Sequence, residues 1–286
     1  MKKLKPGLKP SMYKEICKVL SQEKVAPGHF VLTLESPKIS KNAKPGQFVQ
    51  ILCADSTEPL LPRPFSFLDA DSKKFSILYH MVGKGTEILS KLKKGDTLSV
   101  LGPCGNGFGL RIEDGGWRIG KRQYLMVGGG VGIPPLYHFS KQLIKNKISN
   151  KNIYIFLGAR DKSLLLHEKE FKKLGVHLYL ATDDGSCGHK GFVTQPLENF
   201  LSSILHPPSS IRIYTCGPTP MMKAVSKIAQ KFEVPCEVSV EVPMACGFGA
   251  CLGCAVTVRD EGSTGHRHAI ACCEGPVFRG ESIVWD

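Results

Sequence analysis

Three cysteines crowd one short loop. Met244-Ala245-Cys246-Gly247-Phe248-Gly249-Ala250-Cys251-Leu252-Gly253-Cys254 reads C-x4-C-x2-C, and Cys272-Cys273 begins eighteen residues after Cys254. With a distant fourth Cys, this is the plant-type spacing for a [2Fe–2S] cluster. A two-iron cluster needs four thiolates in one small volume. Small residues such as Gly247, Gly249 and Ala250 let backbone N–H groups approach the sulfurs, and those hydrogen bonds tune the potential. The alternative is a structural zinc site with four Cys. Zinc loops usually set one close Cys pair against another, whereas here three candidate ligands, Cys246, Cys251 and Cys254, share one loop. That favours iron–sulfur. Spacing leaves the fourth ligand open between Cys272 and Cys273.

Two stretches nearer the start carry phosphate-binding chemistry. Leu61-Pro62-Arg63-Pro64-Phe65-Ser66-Phe67 sets an Arg and a Ser three apart at the edge of a strand. A guanidinium there can grip a phosphate oxygen, and the hydroxyl can bond a phosphate or a ring edge. Read blandly, this is an edge strand with prolines. Tyr79-His80-Met81-Val82-Gly83-Lys84-Gly85-Thr86 ends a strand in a Gly-x-Gly turn that opens a helix. Backbone N–H groups at such a helix start favour a pyrophosphate. The candidate cofactor residues here are Arg63, Pro64, Phe65, Ser66, His80, Met81, Val82, Gly85 and Thr86. A third glycine stretch, Gly102-Pro103-Cys104-Gly105-Asn106-Gly107-Phe108, is expected to join them as a loop after the last strand of the unit.

A second nucleotide signal follows. Val127-Gly128-Gly129-Gly130-Val131-Gly132-Ile133-Pro134-Pro135 runs from strand into helix. Ile133 takes the place of the last glycine, so this is not the standard dinucleotide fingerprint. Gly128, Gly129, Gly130 and Gly132 still stand where a backbone passes close to a cofactor, at the C-terminal end of a parallel strand. The bland reading is a helix-entry turn with Pro134 and Pro135 in its first turn. Cys216, Gly217 and Pro218 repeat the strand-to-helix logic further on. No basic cluster awaits a 2′-phosphate, and Arg160 is followed by Asp161, so NAD is expected over NADP.

These residues need three positioning units. Residues 11–112 read as an all-β barrel, with strands at Tyr13–Leu20, Phe30–Leu34, Phe48–Cys53, Phe75–Met81 and Thr97–Leu101 and a helix at Thr86–Lys93. After a turn at Asp114-Gly115-Gly116, residues 118–236 alternate strands and helices. Strands fall at Gln123–Val127, Ile153–Leu157, Val176–Ala181, Ile211–Thr215 and Val234–Val240. Helices fall along Leu136–Ile148, near Leu164–Leu174 and at Thr219–Lys231. That alternation predicts a parallel sheet covered on both faces. Residues 240–286 are rich in Gly and Cys, with one β-like run at Ala255–Arg259, and are too short to bury a core alone. The fold class is therefore a β-barrel plus an α/β lobe plus a small cluster domain.

Composition sets the outer limits. The chain has 286 residues, 42% hydrophobic and 22% charged, as in ordinary globular proteins. Lys and Arg exceed Asp and Glu to give +13, and residues 1–24 hold seven Lys against two Glu. Without a basic helix or a nucleic-acid motif, this reads as solvated surface charge and a loose basic start, with no nucleic-acid partner. No apolar run is long enough to span a membrane. Nor does one follow the basic start, so no secretory signal is expected, and the cytoplasm is the default compartment. There, eleven cysteines, an odd number, point to metal or redox chemistry rather than disulfides. Cys17, Cys53, Cys104, Cys187, Cys216 and Cys236 are scattered and read as small buried residues.

Taken in order, Arg63–Ser66, Gly128–Gly132, Cys216-Gly217-Pro218 and the cysteine loop resemble the ferredoxin reductase superfamily. Within it the chain is similar to the electron-transfer subunits of the B-type, NAD-linked dihydroorotate dehydrogenases, over roughly residues 12–286. Thr182-Asp183-Asp184-Gly185-Ser186 and Lys190-Gly191 add to that resemblance. In the family the last cluster Cys lies three residues before Gly-Pro-Val-Phe, which here makes it Cys272. The Lys-rich residues 1–11 and a slightly longer gap before the fourth Cys depart from the family.

The resemblance implies FAD across the barrel beside Arg63 and Ser66, its pyrophosphate on the backbone at Gly85-Thr86. NAD(H) would dock near Gly128–Gly132 and Cys216–Pro218. The cluster would exchange electrons with an FMN in a separate catalytic subunit that handles dihydroorotate and orotate in pyrimidine biosynthesis, in a heterotetramer of two subunits of each kind. No acid or base is implied, so no catalytic side chain is expected. Other readings are a small subunit of NADH-dependent ferredoxin:NADP oxidoreductase or of sulfide dehydrogenase, a non-enzymatic redox sensor or scaffold, and a zinc-stapled binding module.

Overall fold

Alternation of apolar and polar residues builds the first unit. The computed structural model describes residues 12–109, 122–204, 210–260 and 265–285. In β1 (Tyr13–Ala26) Cys17 and Val19 point inward while Ile16 and Lys18 point out. The chain continues through β2 (His29–Glu35), α1 (Pro37–Asn42), β3 (Phe48–Leu52), β4 (Arg63–Ala70), β5 (Lys74–His80), α2 (Lys84–Ser90) and β6 (Thr97–Cys104). The strands close a barrel in the order β1-β2-β5-β4-β3-β6, all neighbours antiparallel. Val19, Leu32, Leu34, Val49, Ile51, Phe67, Phe75 and Ile77 fill its interior.

Three details differ from the sequence expectation. β1 runs on to Ala26, because Ala26 pairs with His29 across a tight Pro27-Gly28 turn. Its polar second half looks like a loop in sequence but is held by backbone pairing. α1 was not expected; the Ser36 hydroxyl caps it by accepting the Ile39 N–H at 3.3 Å. α2 starts two residues early, because the Thr86 hydroxyl accepts the N–H groups of Val82 at 2.9 Å and Gly83 at 3.2 Å.

The second unit is a sheet with helices on both faces. Its elements are β7 (Gln123–Gly129), α3 (Ile133–Lys145), β8 (Ile153–Ala159), α4 (Glu168–Lys173), β9 (His177–Thr182), β10 (His189–Lys190), α5 (Thr194–Ser203), β11 (Ile211–Cys216), α6 (Thr219–Lys231) and β12 (Cys236–Ser239). Strand order is β10-β9-β8-β7-β11-β12, every pair parallel. Met126, Ile155 and Leu157 face α3 and α4, while Leu125, Val127 and Phe156 face α5 and α6. α4 is shorter than expected, and α5 escapes sequence reading because Leu197 and Leu201 are its only buried residues. Leu68 and Leu78 of the barrel join the α3 core, and Lys141 of α3 pairs with Asp69 of β4.

The third unit borrows its neighbours. β13 (Ala255–Arg259) and β14 (His266–Ile270) form a hairpin, and β15 (Val277–Arg279) pairs antiparallel with β12 at the edge of the nucleotide sheet. Phe48 and Cys104 of the barrel pack with Cys254, Ile270, Ala271 and Cys272. The expected Asp114–Gly116 turn, the boundaries at 11, 112 and 118, and the basic residues 1–11 lie outside the described residues. Among the described residues, no helix is long and apolar enough to cross a membrane.

Candidate functional site

The barrel edge places the first group. Arg63 opens β4, and its Nη1 donates to the Leu61 carbonyl at 2.7 Å. A Cβ on Gly85, in the first turn of α2, would stand 3.3 Å from Cys53 Sγ and 3.5 Å from Arg63 Nε. Absence of a side chain at Gly85 thus keeps a small cradle between the guanidinium and the α2 backbone. The Thr86 hydroxyl is spent on its own turn, donating also to the Gly83 carbonyl at 3.0 Å, so that residue offers only backbone.

Phe65 points into the barrel, edge-on to Tyr79 at 5.8 Å, whereas Pro64 and Ser66 keep part of their surface open on the other face. His80 is exposed and stacks on His29 at 4.3 Å; burial and then the His29 ring lower its pKa. Beside it Met81 and Val82 expose apolar surface, 41% and 75% of their areas. This is a large apolar face next to a cationic cradle, the chemistry a ring system with a phosphate tail requires.

The sheet places the second group. Strand order reverses between β7 and β11, so their C-terminal ends form the crevice where open α/β sheets bind ligands. Cys216 pairs in register with Gly128. The glycines there divide by role. A Cβ on Gly128 would meet Leu136 Cδ1 at 2.7 Å, and one on Gly132 would drive into the Cys216 carbonyl. Those two serve close packing of strand and helix. Gly130 has φ +55° and nothing within 4 Å of a Cβ, so its backbone is the open part of the crevice. The Cys216 thiol is buried, and burial foremost pushes its pKa up to about 12, so it is an inert neutral thiol.

The third group is the cysteine loop. Phe248 N–H donates to Cys246 Sγ at 3.5 Å, and Cys272 N–H donates to Cys254 Sγ at 3.4 Å. Burial raises the Cys246 thiol. Backbone N–H groups of Cys251, Phe248 and Ala250, with the Cys251 thiol, outweigh it and bring the pKa down to about 7. Cys272 moves the other way, raised by burial and then by the Cys254 and Cys273 thiols. Cys254 and Cys272 are buried, Cys246 and Cys273 half-buried and Cys251 exposed.

Among the described residues no three metal-ligating side chains converge as they would on one ion. The thiol of Cys246 interacts with that of Cys251, and the thiol of Cys272 with those of both Cys254 and Cys273. Several thiols gathered in one small volume are the kind of donor set a two-iron cluster needs. Cys273 Sγ lies 3.8 Å from Cys272 Sγ.

The third glycine stretch is part strand and part turn. Gly102, Pro103 and Cys104 belong to β6, and the following turn grips the cluster segment. Asn106 N–H donates to the Gly275 carbonyl at 2.5 Å, and its Nδ2 donates to the carbonyls of Cys273 and Glu274 at 3.0 and 2.9 Å. One residue of the site region has no sequence signal. Gln50 in β3 reads as an ordinary polar position in Phe48-Val49-Gln50-Ile51-Leu52, yet it is 1% exposed and lies beneath Gly247.

Known proteins resemble the chain over nearly its whole length. Residues 126–227 match the oxidoreductase NAD-binding domain, and residues 241–284 match the iron-sulfur cluster binding domain of dihydroorotate dehydrogenase B. The electron transfer subunit of dihydroorotate dehydrogenase B (NAD(+)) from Desulforamulus reducens is 37% identical over 271 residues, covering 94% of this chain and 97% of the relative. The same subunit from Caldanaerobacter subterraneus is 39% identical over 273 residues, covering 96% and 99%. A solved NADH-dependent reduced ferredoxin-NADP oxidoreductase chain superposes with TM-score 0.78 at 34% identity, covering 95% of this chain and 91% of that one. A ferredoxin NADP+ reductase from Neisseria gonorrhoeae, at 19% identity and TM-score 0.62 over 78% of this chain and 92% of its own, shares the fold. Nearly full-length identity to the curated relatives, together with the cluster-domain match, shows that the chain belongs to the family of electron transfer subunits of dihydroorotate dehydrogenase B.

Proposed function

We propose that the chain relays electrons between NAD(H), FAD and a [2Fe–2S] cluster, and onward to the FMN of a dihydroorotate dehydrogenase catalytic subunit. The observation that carries this is the cysteine loop docked directly onto the outside of the barrel, with Phe48 and Cys104 packed against Cys254 and Cys272. A flavin is the needed intermediary, since it exchanges a hydride with nicotinamide and single electrons with an iron–sulfur centre. The chain's own residues bind and orient. Arg63 and the backbone at Gly85-Thr86 take the FAD pyrophosphate; Pro64, Ser66, Met81 and Val82 border its ring, with Phe65 supporting from inside the barrel and His80 at the rim. Gly128–Gly132 and Cys216-Gly217-Pro218 admit the NAD(H) pyrophosphate and nicotinamide. Cys246, Cys251, Cys254 and Cys272 hold the cluster. No side chain is asked to move a proton, so none is assigned as catalytic.

The partner carries the pyrimidine chemistry, and the complex is a heterotetramer of two subunits of each kind. A thiol-held cluster and eleven cysteines with no disulfide among them suit a reducing compartment, the cytoplasm. The likeness to the NADH-dependent reduced ferredoxin-NADP oxidoreductase chain supports one second reading, the small subunit of such an enzyme.

The test is co-expression with the FMN catalytic subunit. NAD-linked dihydroorotate oxidation that requires both chains is the expected result; activity only with ferredoxin and NADP supports the second reading. Substituting Arg63→Ala lowers flavin content while iron content holds. Unchanged flavin in that variant contradicts the pyrophosphate assignment.

A further inference from the structure

The barrel exterior beneath the cysteine loop holds a buried amide with no hydrogen-bond partner among the described residues. Side chains of β3 alternate, so Val49 and Ile51 fill the barrel while Phe48 and Gln50 face outward. Phe48 on that outer face packs with Cys254 and Cys272. Gln50, two residues on, is 1% exposed, and neither Nε2 nor Oε1 finds a hydrogen-bond partner among the described residues. Such burial without a partner costs stability, so a partner is expected when the site is complete.

The surroundings indicate which partner. Gly247, next to Cys246, lies directly over Gln50. A Cβ there would collide with Gln50 Cγ and stand 3.0 Å from Nε2. Gly247 also has φ +79°, so both its conformation and the amide beneath it exclude a side chain. Gln50 is paired across the strands with Pro64, the start of the open face assigned to the flavin. Yet Pro64 and Ser66 keep open surface while Gln50 is sealed by protein. The amide therefore belongs to the closed cysteine-loop side. Thiolates and sulfides only accept hydrogen bonds, so the amide would meet one through Nε2, its donor end.

We propose that the Gln50 amide donates a hydrogen bond to a sulfur of the cluster and so sets its reduction potential from beneath the cysteine loop. The proposal rests on the relay reading. An added electron puts more negative charge on the sulfurs, so an N–H donor stabilises the reduced form and raises the potential.

The experiment is an EPR-monitored redox titration of the full chain purified anaerobically, for wild type, Gln50→Met and Gln50→Glu. Both variants keep the side-chain length. The expected result is a lower cluster potential in Q50M, lower again in Q50E, with the flavin potential unmoved. In wild-type protein carrying side-chain 15N-glutamine, pulsed EPR of the reduced cluster shows a nitrogen coupling. This second measurement stands even where a variant fails to assemble. Unchanged cluster potentials, a shift in the flavin potential alone, or no glutamine nitrogen coupling overturns the role of Gln50. A wild-type chain with no cluster signal overturns the relay and Gln50's role together.

Discussion

Around Gly128–Gly132 the chain builds a site from its own core. β7 and β11 are buried between α3 and α6, and two of the four glycines there simply let strand and helix meet. Around Cys246–Cys273 the opposite holds. The hairpin β13–β14 is short, and Ile270 with the flanking Cys254 and Cys272 packs against Phe48 and Cys104 of the barrel. β15 completes it by joining the edge of the nucleotide sheet. The comparison teaches that the two cofactor sites have different sources of rigidity. One is held by a large core, the other by docking and, under the proposed ligation, by the cluster itself.

If that is right, damage to each region should stay local. The largest effect is expected for Cys254→Ser, which removes a buried thiol at the centre of the docked unit. Iron content falls to near zero and residues 241–284 become protease-sensitive, while NADH still reduces the flavin. Flavin reduction lost together with iron breaks the comparison.

Next comes Gly132→Ala, whose methyl drives into the Cys216 carbonyl. Overpacking there costs about 1–3 kcal/mol, read from denaturant unfolding. NADH reduction of the flavin slows, with iron content unchanged.

The smallest effect belongs to Asn106→Ala. It removes two side-chain hydrogen bonds to the Cys273 and Glu274 carbonyls. A loss of about 1 kcal/mol is expected, since the turn is exposed. Iron release during dialysis speeds up while the nucleotide lobe keeps its hydrogen-exchange protection. Equal loosening of both lobes contradicts the division drawn here.

Much of this organisation is legible in sequence because its signals are local. The C-x4-C-x2-C spacing, the strand–glycine–helix runs and the barrel turns each depend on residues near one another in the chain. What sequence reading misses depends on tertiary partners. Residues Gly102–Phe108 look like part of the phosphate site, but Asn106 reaches across the chain to Glu274. Gly132 reads as a cofactor contact, and the close approach of Cys216 that forbids a side chain there is not visible in sequence. Phe65 belongs to a motif beside the cofactor, yet strand alternation turns its ring into the barrel. Gln50 has no motif at all; only Gly247, far along the chain, gives it meaning.

The central claim is that one chain connects nicotinamide to an iron–sulfur centre through a flavin. Its most direct test is the visible spectrum of anaerobically purified protein before and after NADH. The account predicts flavin bands over a broad iron–sulfur envelope, both bleached by NADH. A colourless, zinc-containing protein, or a flavin that NADH reduces while the iron–sulfur envelope is absent, would contradict it.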